Sequence, residues 1–508
     1  MVRRLIKEVK TEEPRLQIRV QNFRLFRDSG WLELEPLTCV VGRNSSGKSS
    51  ILFALLLLKQ SIEKKVYGSA ITPLSLSGDY CDLGQFKDLV HDHDKASNIT
   101  YSFRVPLSMI IDSASSQGSL IELGTPKAPT STARRLGFEY RYFFSEMEPI
   151  KDAIIEVTLT FSEDQPFGPS LSRCSINVSK IGEVKFVRTI SGERKPHWRT
   201  YSTRLPMLRA MGFEPTAHSF FPRLIFRQSH KEKSSARQRK PFVQFFRAGQ
   251  AFFGFLESLL GKSEMIGPFR QPPERRYAFG GFGANKIGPS GEQAIDLLIT
   301  EALIRKGANQ PLVAAVAYWL KELKLADSLR IKDAAKHLNL FEVDLKLAGR
   351  RIRANLVDVG FGISQVLPVL VQGLLMRRGG IFFVQEPEIH LHPDAQAQLA
   401  DFFIFLACQG VTCIVETHSE YFLLRLRRRL AEGRGPVPSV LPKLSGPVKR
   451  LTEKSASVLV SQNIGGEAQI TRLGIGRGFQ FDNMPTGFMN QAVEDRMELL
   501  KAVSKRNG

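Results

Sequence analysis

Gly42-Arg43-Asn44-Ser45-Ser46-Gly47-Lys48-Ser49 matches the phosphate-loop pattern G-x-x-x-x-G-K-[ST] at every specified position. The flanking residues give it the right setting. Leu37-Thr38-Cys39-Val40-Val41 is a short apolar, β-branched run that reads as a buried strand. The Leu-rich stretch from Ser50 to Lys65 reads as a helix packed on both sides. The glycines let the backbone turn tightly, so that successive N–H groups point inward at phosphate oxygens. The helix N-terminus adds the positive end of its dipole. In such a loop Lys48 reaches the β- and γ-phosphates and the Ser49 hydroxyl is one ligand of Mg2+. The expected ligand is ATP with Mg2+, held by Gly42, Arg43, Asn44, Ser45, Ser46, Gly47, Lys48 and Ser49, and by Ser50 where the helix opens.

A chain of 508 residues has room for two or three domains with full-sized cores. Hydrophobic content of 43% and charged content of 24% are ordinary for a soluble globular protein. The apolar run Ile51 to Leu58 falls well short of the about 18 residues that span a bilayer. No apolar segment of signal-peptide length follows Met1-Val2-Arg3-Arg4-Leu5. The cysteines form no C-x-x-C pair, and Cys39, Cys408 and Cys413 sit in or beside apolar runs. They read as buried free thiols, and a cytoplasmic location follows. The formal net charge of +21 leaves two readings open, a polyanionic partner such as DNA or RNA, or a generally basic surface.

Leu16 to Val20 and Trp31 to Leu34 alternate apolar with polar residues and read as strands leading into the loop. In the loop-rich stretch Gly68 to Asn98, Gln85 is the candidate for reaching the metal or the attacking water, against a plain surface glutamine in a turn. His91-Asp92-His93-Asp94 lacks third and fourth ligands at a familiar spacing and reads as a solvated polar loop. Ile99 to Phe103, Ala153 to Phe161, Cys174 to Val178 and Val184 to Ile190 suggest an inserted antiparallel layer, with a Ser/Thr/Ala/Gly-rich stretch, Asp112 to Ala133, between them. Arg223 to Lys240 carries seven basic side chains against Glu232 alone, either a solvated basic loop or a phosphate-contacting arm. Phe242 to Leu260 returns to a helical apolar pattern rich in phenylalanine. The loop from Ile266 to Tyr277 carries Arg270 and Arg275, read as fixing the loop by ion pairs or as touching nucleotide or a neighbouring subunit.

Downstream, Asp358-Val359-Gly360-Phe361-Gly362-Ile363-Ser364-Gln365 opens an apolar helix, a second small-residue turn at a helix N-terminus. Ile381 to Val384 is a buried strand ending in Gln385-Glu386-Pro387-Glu388, where a Mg2+-binding group and a catalytic base would stand. Ile389-His390-Leu391-His392-Pro393 turns into the helix Asp394 to Ala407, and no third ligand supports a metal on the two histidines. Val411 to Val415 is another buried strand, ending in Glu416-Thr417-His418-Ser419. A histidine just past that strand can touch a γ-phosphate and sense its loss. After it come an arginine-rich helix, Phe422 to Leu430, a Gly/Pro/Ser-rich linker, Gly433 to Pro447, and a tail with short strands and a last helix, Gln491 to Val503.

The string Glu386 to Pro393 followed by Glu416-Thr417-His418-Ser419, behind Asn22-Phe23 and a G-x-N-x-x-G-K-S loop, resembles the ABC-type ATPases of the OLD/SMC-like group. Val357 to Pro368, Gly267 to Tyr277 and Pro485-Thr486-Gly487-Phe488 resemble a bacterial subgroup of AAA-type predicted ATPases with a short tail domain. The resemblance implies an α/β fold, an ABC-type ATPase head interrupted by a β-rich and helical insert and followed by a small α+β domain. The expected boundaries are 1–98, 99–265, 266–435 and 436–508. It also implies a composite site in a head-to-tail homodimer or higher oligomer, each phosphate loop closed by the partner's turn with Gly360, Gly362 and Ser364. Glu386 would polarise water, His418 would hold the γ-phosphate with Lys48, and Asp394 would lie in the segment linking the two sites. Ser49, Gln85 and Gln385 would surround the metal. The group generally has a carboxylate where Gln385 stands, and an amide is a poorer Mg2+ partner, so slow turnover is expected. The usual signature serine is Gly360 here.

The function expected from these readings is a cytoplasmic dimeric ATPase that senses or clamps nucleic acid and regulates a separate effector. Septu-like and retron-linked anti-phage ATPases, which accompany a nuclease, are the relatives the resemblance suggests. No nuclease signature stands in the chain itself. A DNA-repair or chromosome-structuring ATPase would carry long a/d heptads in the insert, which are missing. A non-hydrolysing, ATP-gated scaffold is the alternative that Gln385 raises. A transporter subunit is disfavoured by the β-rich insert and the missing membrane segment.

Overall fold

The computed structural model describes residues 15–64, 74–93, 98–115, 147–163, 168–189, 197–202, 211–214, 221, 223–226, 236–280, 286–305, 310–335, 338–347, 349–433, 452–474, 481, 495, 497–499 and 501–503. The alternation after Leu16 becomes β1 (Gln17–Phe23), paired antiparallel with the short β2 (Phe26–Asp28) and β3 (Leu32–Glu33). β4 (Leu37–Gly42), buried along its whole length, feeds the phosphate loop and α1 (Lys48–Glu63). A single capped turn, α2 (Phe86–Leu89), precedes β5 (Ile99–Pro106) and α3 (Leu107–Ser115). β6 (Ile154–Ser162), β7 (Ser170–Val178), β8 (Gly182–Thr189) and β9 (His197–Ser202) follow as antiparallel neighbours; β10 (Met211–Glu214) and β11 (Arg223–Phe226) pair separately. The phenylalanine-rich helix is α4 (Ala236–Gly261).

The second half runs β12 (Glu264–Ile266), β13 (Tyr277–Ala278), α5 (Ala294–Ile304), α6 (Pro311–Glu322), β14 (Ser328–Ala335), β15 (Leu340–Lys346) and β16 (Arg353–Asn355). Then come α7 (Phe361–Leu375), β17 (Ile381–Gln385), α8 (Pro393–Cys408), β18 (Thr412–Glu416), α9 (Glu420–Glu432), β19 (Ala456–Ile464) and β20 (Glu467–Leu473).

A six-stranded sheet in the order β12-β17-β18-β4-β19-β20 carries the site. It is parallel up to β19, with β20 antiparallel at the edge. Its central strands β4, β17 and β18 are mostly apolar because both faces are covered, whereas the edge strand β20 is largely polar and partly exposed. Val40, Phe383 and Ile414 face a core shared with α1 and α4, while Cys39, Val41, Phe382 and Val384 face a core made with α5 to α9. The fold is therefore mixed α/β, as the strand–loop–helix pattern implies.

Two expected boundaries cut through continuous sheets. β1 pairs with β5 over Gln17–Gln21, so the antiparallel layer β2-β1-β5-β6-β7-β8-β9 begins in the N-terminal lobe, before residue 98. β19 pairs with β4 from Leu37 to Gly42, so the hairpin beyond residue 436 completes the core sheet. Backbone donors along the edge of β4 need partners, and a strand more than 400 residues later supplies them. Pro485 to Phe488, most of Asp112 to Ala133 and residues 227–235 of the basic run from Arg223 to Lys240 lie outside the described residues. Of the expected last helix, only 495, 497–499 and 501–503 are described, and these are helical.

Candidate nucleotide site

The loop between β4 and α1 takes backbone conformations that only a few residue types hold without strain. Gly42, Ser45 and Gly47 have φ of 149°, 59° and 96°. A Cβ on Gly42 would sit 2.2 Å from the Ser461 carbonyl oxygen, and one on Gly47 would sit 2.7 Å from Cβ of Ala468. Both glycines are thus required by the β19–β20 hairpin packed behind the loop. Ser461 also donates its hydroxyl to the Ser46 carbonyl at 2.6 Å. Arg43, Asn44 and Ser45 are exposed at the tip, whereas Ser46, Lys48 and Ser50 are buried. The first turn of α1 has neither an acidic side chain nor a side-chain cap, and while the Ser50 N–H bonds to the Gly47 carbonyl at 3.0 Å, the N–H groups of Lys48 and Ser49 are left for an anion. The buried Ser46 hydroxyl has no partner. Lys48 Nζ donates to the Arg43 carbonyl at 2.8 Å. Burial pulls the Lys48 ammonium below its usual range, and the carboxylates of Glu416 and Glu386 oppose that shift. A buried cation, free N–H groups and an unpartnered hydroxyl in one loop fit a triphosphate.

The ends of β17 and β18 complete the site. Ser49 Oγ donates to Glu416 Oε1 at 2.9 Å and lies 3.0 Å from Oε2. Gln385, in register with Glu416, donates its amide to Glu416 Oε2 at 2.8 Å. Hard oxygen donors beside the loop suit Mg2+. Glu386 turns out of the strand with φ of 45°, its N–H bonded to the Glu416 carbonyl at 2.8 Å. Its carboxylate lies 3.7 Å from His418 Nε2, and both side chains are partly open. Glu388 is buried beneath them: its Oε1 accepts from the Thr417 hydroxyl and the His418 N–H, each at 2.7 Å. Burial raises the Glu388 carboxyl above its ordinary range, with these two donors working against the shift.

Arg270 is the residue that fixes the Glu386 turn. Its Nη2 donates to the Gln385 carbonyl at 2.7 Å and approaches that of Glu386 at 3.2 Å. Arg275 pairs with Asp358 through two bonds of 2.9 and 2.5 Å. The loop from Ile266 to Tyr277 is thus fixed by ion pairs and backbone contacts, and it ties the Glu386 turn to the Gly360 turn. Gly360 caps α7, and a Cβ on Gly362 would meet the His390 carbonyl at 2.7 Å. Ser364 is buried, and its hydroxyl donates to Phe361 O at 2.8 Å, turned into its own helix.

Other candidates lie apart. Gln85 is exposed; its N–H donates to Asp88 Oδ2 at 2.9 Å, and no hydrogen bond joins its side chain to Ser49 or Glu416. His392 caps α8 and His390 holds a turn at φ 63°. His91 and His93 face the carbonyls of Arg24 and Lys87. Among the described residues no group of three or more His, Cys, Asp or Glu could hold a metal. Asp394 lies 3.5 Å from Lys324. The sequence reading assigned no role to Glu416, Ser461 or Ala468. Glu416 had a usable signal, an acid closing a buried strand, whereas the two hairpin residues had none.

A phosphate loop on a parallel strand, closed by groups from neighbouring strand ends, defines a P-loop nucleotide-binding protein. The chain belongs to the AAA ATPase domain family, whose profile matches residues 16–180 and 320–423. No curated protein matches it. Among solved structures it is similar at 11% identity to an SMC head bound to the C-terminal winged-helix domain of ScpA, covering 92% of this chain and 99% of that one (TM-score 0.42). The SMC head domain from Thermotoga maritima is 10% identical, covering 90% and 98% (TM-score 0.33). A Pyrococcus furiosus Smc head with an extended coiled coil, bound to the C-terminal domain of ScpA, is 9% identical, covering 96% and 98% (TM-score 0.39). Among the described residues no helix is long and apolar enough to cross a membrane.

Proposed function

We propose that the chain hydrolyses ATP as a head-to-tail dimer. The observation that carries this reading is the Glu386–His418 pair, 3.7 Å apart at strand ends beside Lys48 and Ser49. The loop N–H groups and Lys48 hold the β- and γ-phosphates, with the Ser49 hydroxyl beside the cation. Bound Mg2+ supplies Lewis-acid neutralisation of the phosphate charge. Glu386 orients the attacking water and takes its proton, and His418 hydrogen-bonds the γ-phosphate. Glu388 and Arg270 hold the backbone under both, so little reorganisation accompanies the step.

The dimer reading is supported by the Gly360 turn, open at its N-terminus and flanked by exposed Phe361 and Val357, with exposed Phe269 on the loop that Arg275 ties to it. Each copy's turn closes the other's phosphate loop. The dimer senses or clamps nucleic acid and regulates a separate nuclease in an anti-phage system, a reading supported by the net charge of +21 and the OLD-like resemblance. Five buried, unpaired cysteines support a cytoplasmic setting. Gln385 favours a second reading, an ATP-gated scaffold that does not turn over.

Phosphate release by the native chain, Lys48→Ala and Glu386→Gln separates the two. An active ATPase releases phosphate, loses ATP binding in Lys48→Ala, and keeps binding without turnover in Glu386→Gln. Turnover unchanged in Glu386→Gln would overturn the role of that carboxylate. ATP-dependent dimerisation with no native turnover would select the scaffold.

A further inference from the structure

β18 lies between β17 and β4, so its last residue is placed beside the phosphate loop. That residue is Glu416, 4% exposed. Both its oxygens lie within 3.0 Å of the Ser49 hydroxyl, and Gln385 donates to Oε2 from the strand alongside. Among the described residues it makes no ion pair; its contacts are a hydroxyl and an amide. A buried carboxylate satisfied only by neutral donors is costly unless a cation joins it. Lys48 is near enough to interact electrostatically, but its ammonium is directed to the Arg43 carbonyl.

We infer that Glu416 supplies the negative charge for the divalent cation of the triphosphate site, beside Ser49, with the Gln385 amide orienting its carboxylate. The inference rests on the Mg2+-ATP reading above. It also accounts for the amide at the end of β17: the carboxylate has moved one strand inward, and Gln385 becomes a positioning residue. A carboxylate in place of the Gln385 amide would put two like charges 2.8 Å apart, a repulsion the amide replaces with a hydrogen bond.

The test uses the full chain and a hydrolysis-resistant ATP analogue. Analogue affinity is measured by calorimetry in EDTA and in Mg2+, and Mn2+ affinity of the analogue-loaded protein by electron paramagnetic resonance. Glu416→Gln is expected to bind the analogue in EDTA as the native chain does, to lose the Mg2+ enhancement, and to bind Mn2+ about tenfold or more weakly. Gln385→Glu combined with Glu416→Gln inverts the pair and is expected to recover most of the Mn2+ affinity. This double variant keeps the test decisive if Glu416→Gln alone unfolds. Native Mn2+ affinity in analogue-loaded Glu416→Gln, or no recovery in the double variant, would overturn the assignment and leave the nucleotide site standing. A native chain that binds no analogue in either condition would remove the nucleotide reading, and this assignment with it.

Discussion

At the scale of single residues, the turn at Glu386 depends on two half-satisfied buried charges. Arg270 spends Nη2 on backbone carbonyls while its Nε and Nη1 have no partner, and Glu388 leaves Oε2 without one. Burial pushes the Arg270 guanidinium down to about 10, with Glu388 and Glu386 holding it up, so it remains charged at neutral pH. Arg270→Met removes the donor to Gln385 and Glu386 and leaves Glu388 uncompensated. The expected loss is about 3 kcal/mol in urea unfolding. Glu388→Gln in that background is expected to recover part of it, because a neutral amide needs no counter-charge. The pH dependence has a definite sign. The folded-state pKa of Glu388 lies above its ordinary 4.5, so its contribution to stability is fully present below that value and is lost as pH rises through the raised one. Arg270→Met should therefore show a larger deficit at pH 8 than at pH 5. Equal deficits would mean that Arg270 acts through its backbone bonds alone.

At the scale of elements, the hairpin β19–β20 is the back wall of the phosphate loop. Ala468 N–H bonds to the Leu25 carbonyl at 2.8 Å, and Arg472 reaches Glu33 and Glu35 at 2.7 Å each, so the hairpin is anchored to the antiparallel layer. Its inner face then has no slack against Gly47. Ala468→Leu adds bulk there and should weaken ATP binding, with an overpacking cost of about 1–3 kcal/mol on stability. Calorimetry and a melting curve check this together; ATP affinity unchanged despite lowered stability would mean the loop is not braced by the hairpin. This contact marks where the sequence stopped being legible. β4, the loop and α1 are read from one octapeptide, and β17 and β18 from apolar runs ending in polar residues, because each signal is local. The pairing of β19 with β4 and of β1 with β5 is non-local: the strands alternate or are apolar, but nothing in them names a partner. Glu416 looked like one more acid at a strand end until the strand order put β18 against β4. Arg270 and Arg275 were visible as a pair of loop arginines, and only the fold shows that one serves the Glu386 turn and the other the Gly360 turn.

Over the whole molecule, the charge of +21 has to be divided between arginines that hold the fold and those left for a partner. The arginine-rich helix α9 belongs to the first kind. Arg425 bonds to Asp401 at 2.9 Å, Arg429 bonds to Asp401 at 2.7 and 2.8 Å, and Arg428 and Arg429 both reach Glu432. Arg427 lies 5.3 Å over the ring of Phe481. Arg425 and Arg429 thus join α9 to α8, Arg428 pairs within α9, and with their charges matched by Asp401 and Glu432 these three contribute little to an outward field. The run from Arg223 to Lys240 is the other candidate for a polyanion. If the chain binds nucleic acid through that run, affinity for a short duplex should fall steeply with salt, by about 0.9 in log–log slope for each phosphate contacted. Replacing Arg237, Arg239 and Lys240 together by Gln should flatten that slope by up to about 3. Arg429→Gln should leave the slope unchanged and lower stability by about 1–3 kcal/mol, since it leaves a largely buried Asp401 to Arg425 alone. A slope that falls equally in both variants would point to a diffuse field instead of an arm. No binding even at low salt would take nucleic acid out of the function while leaving the ATP site as it stands.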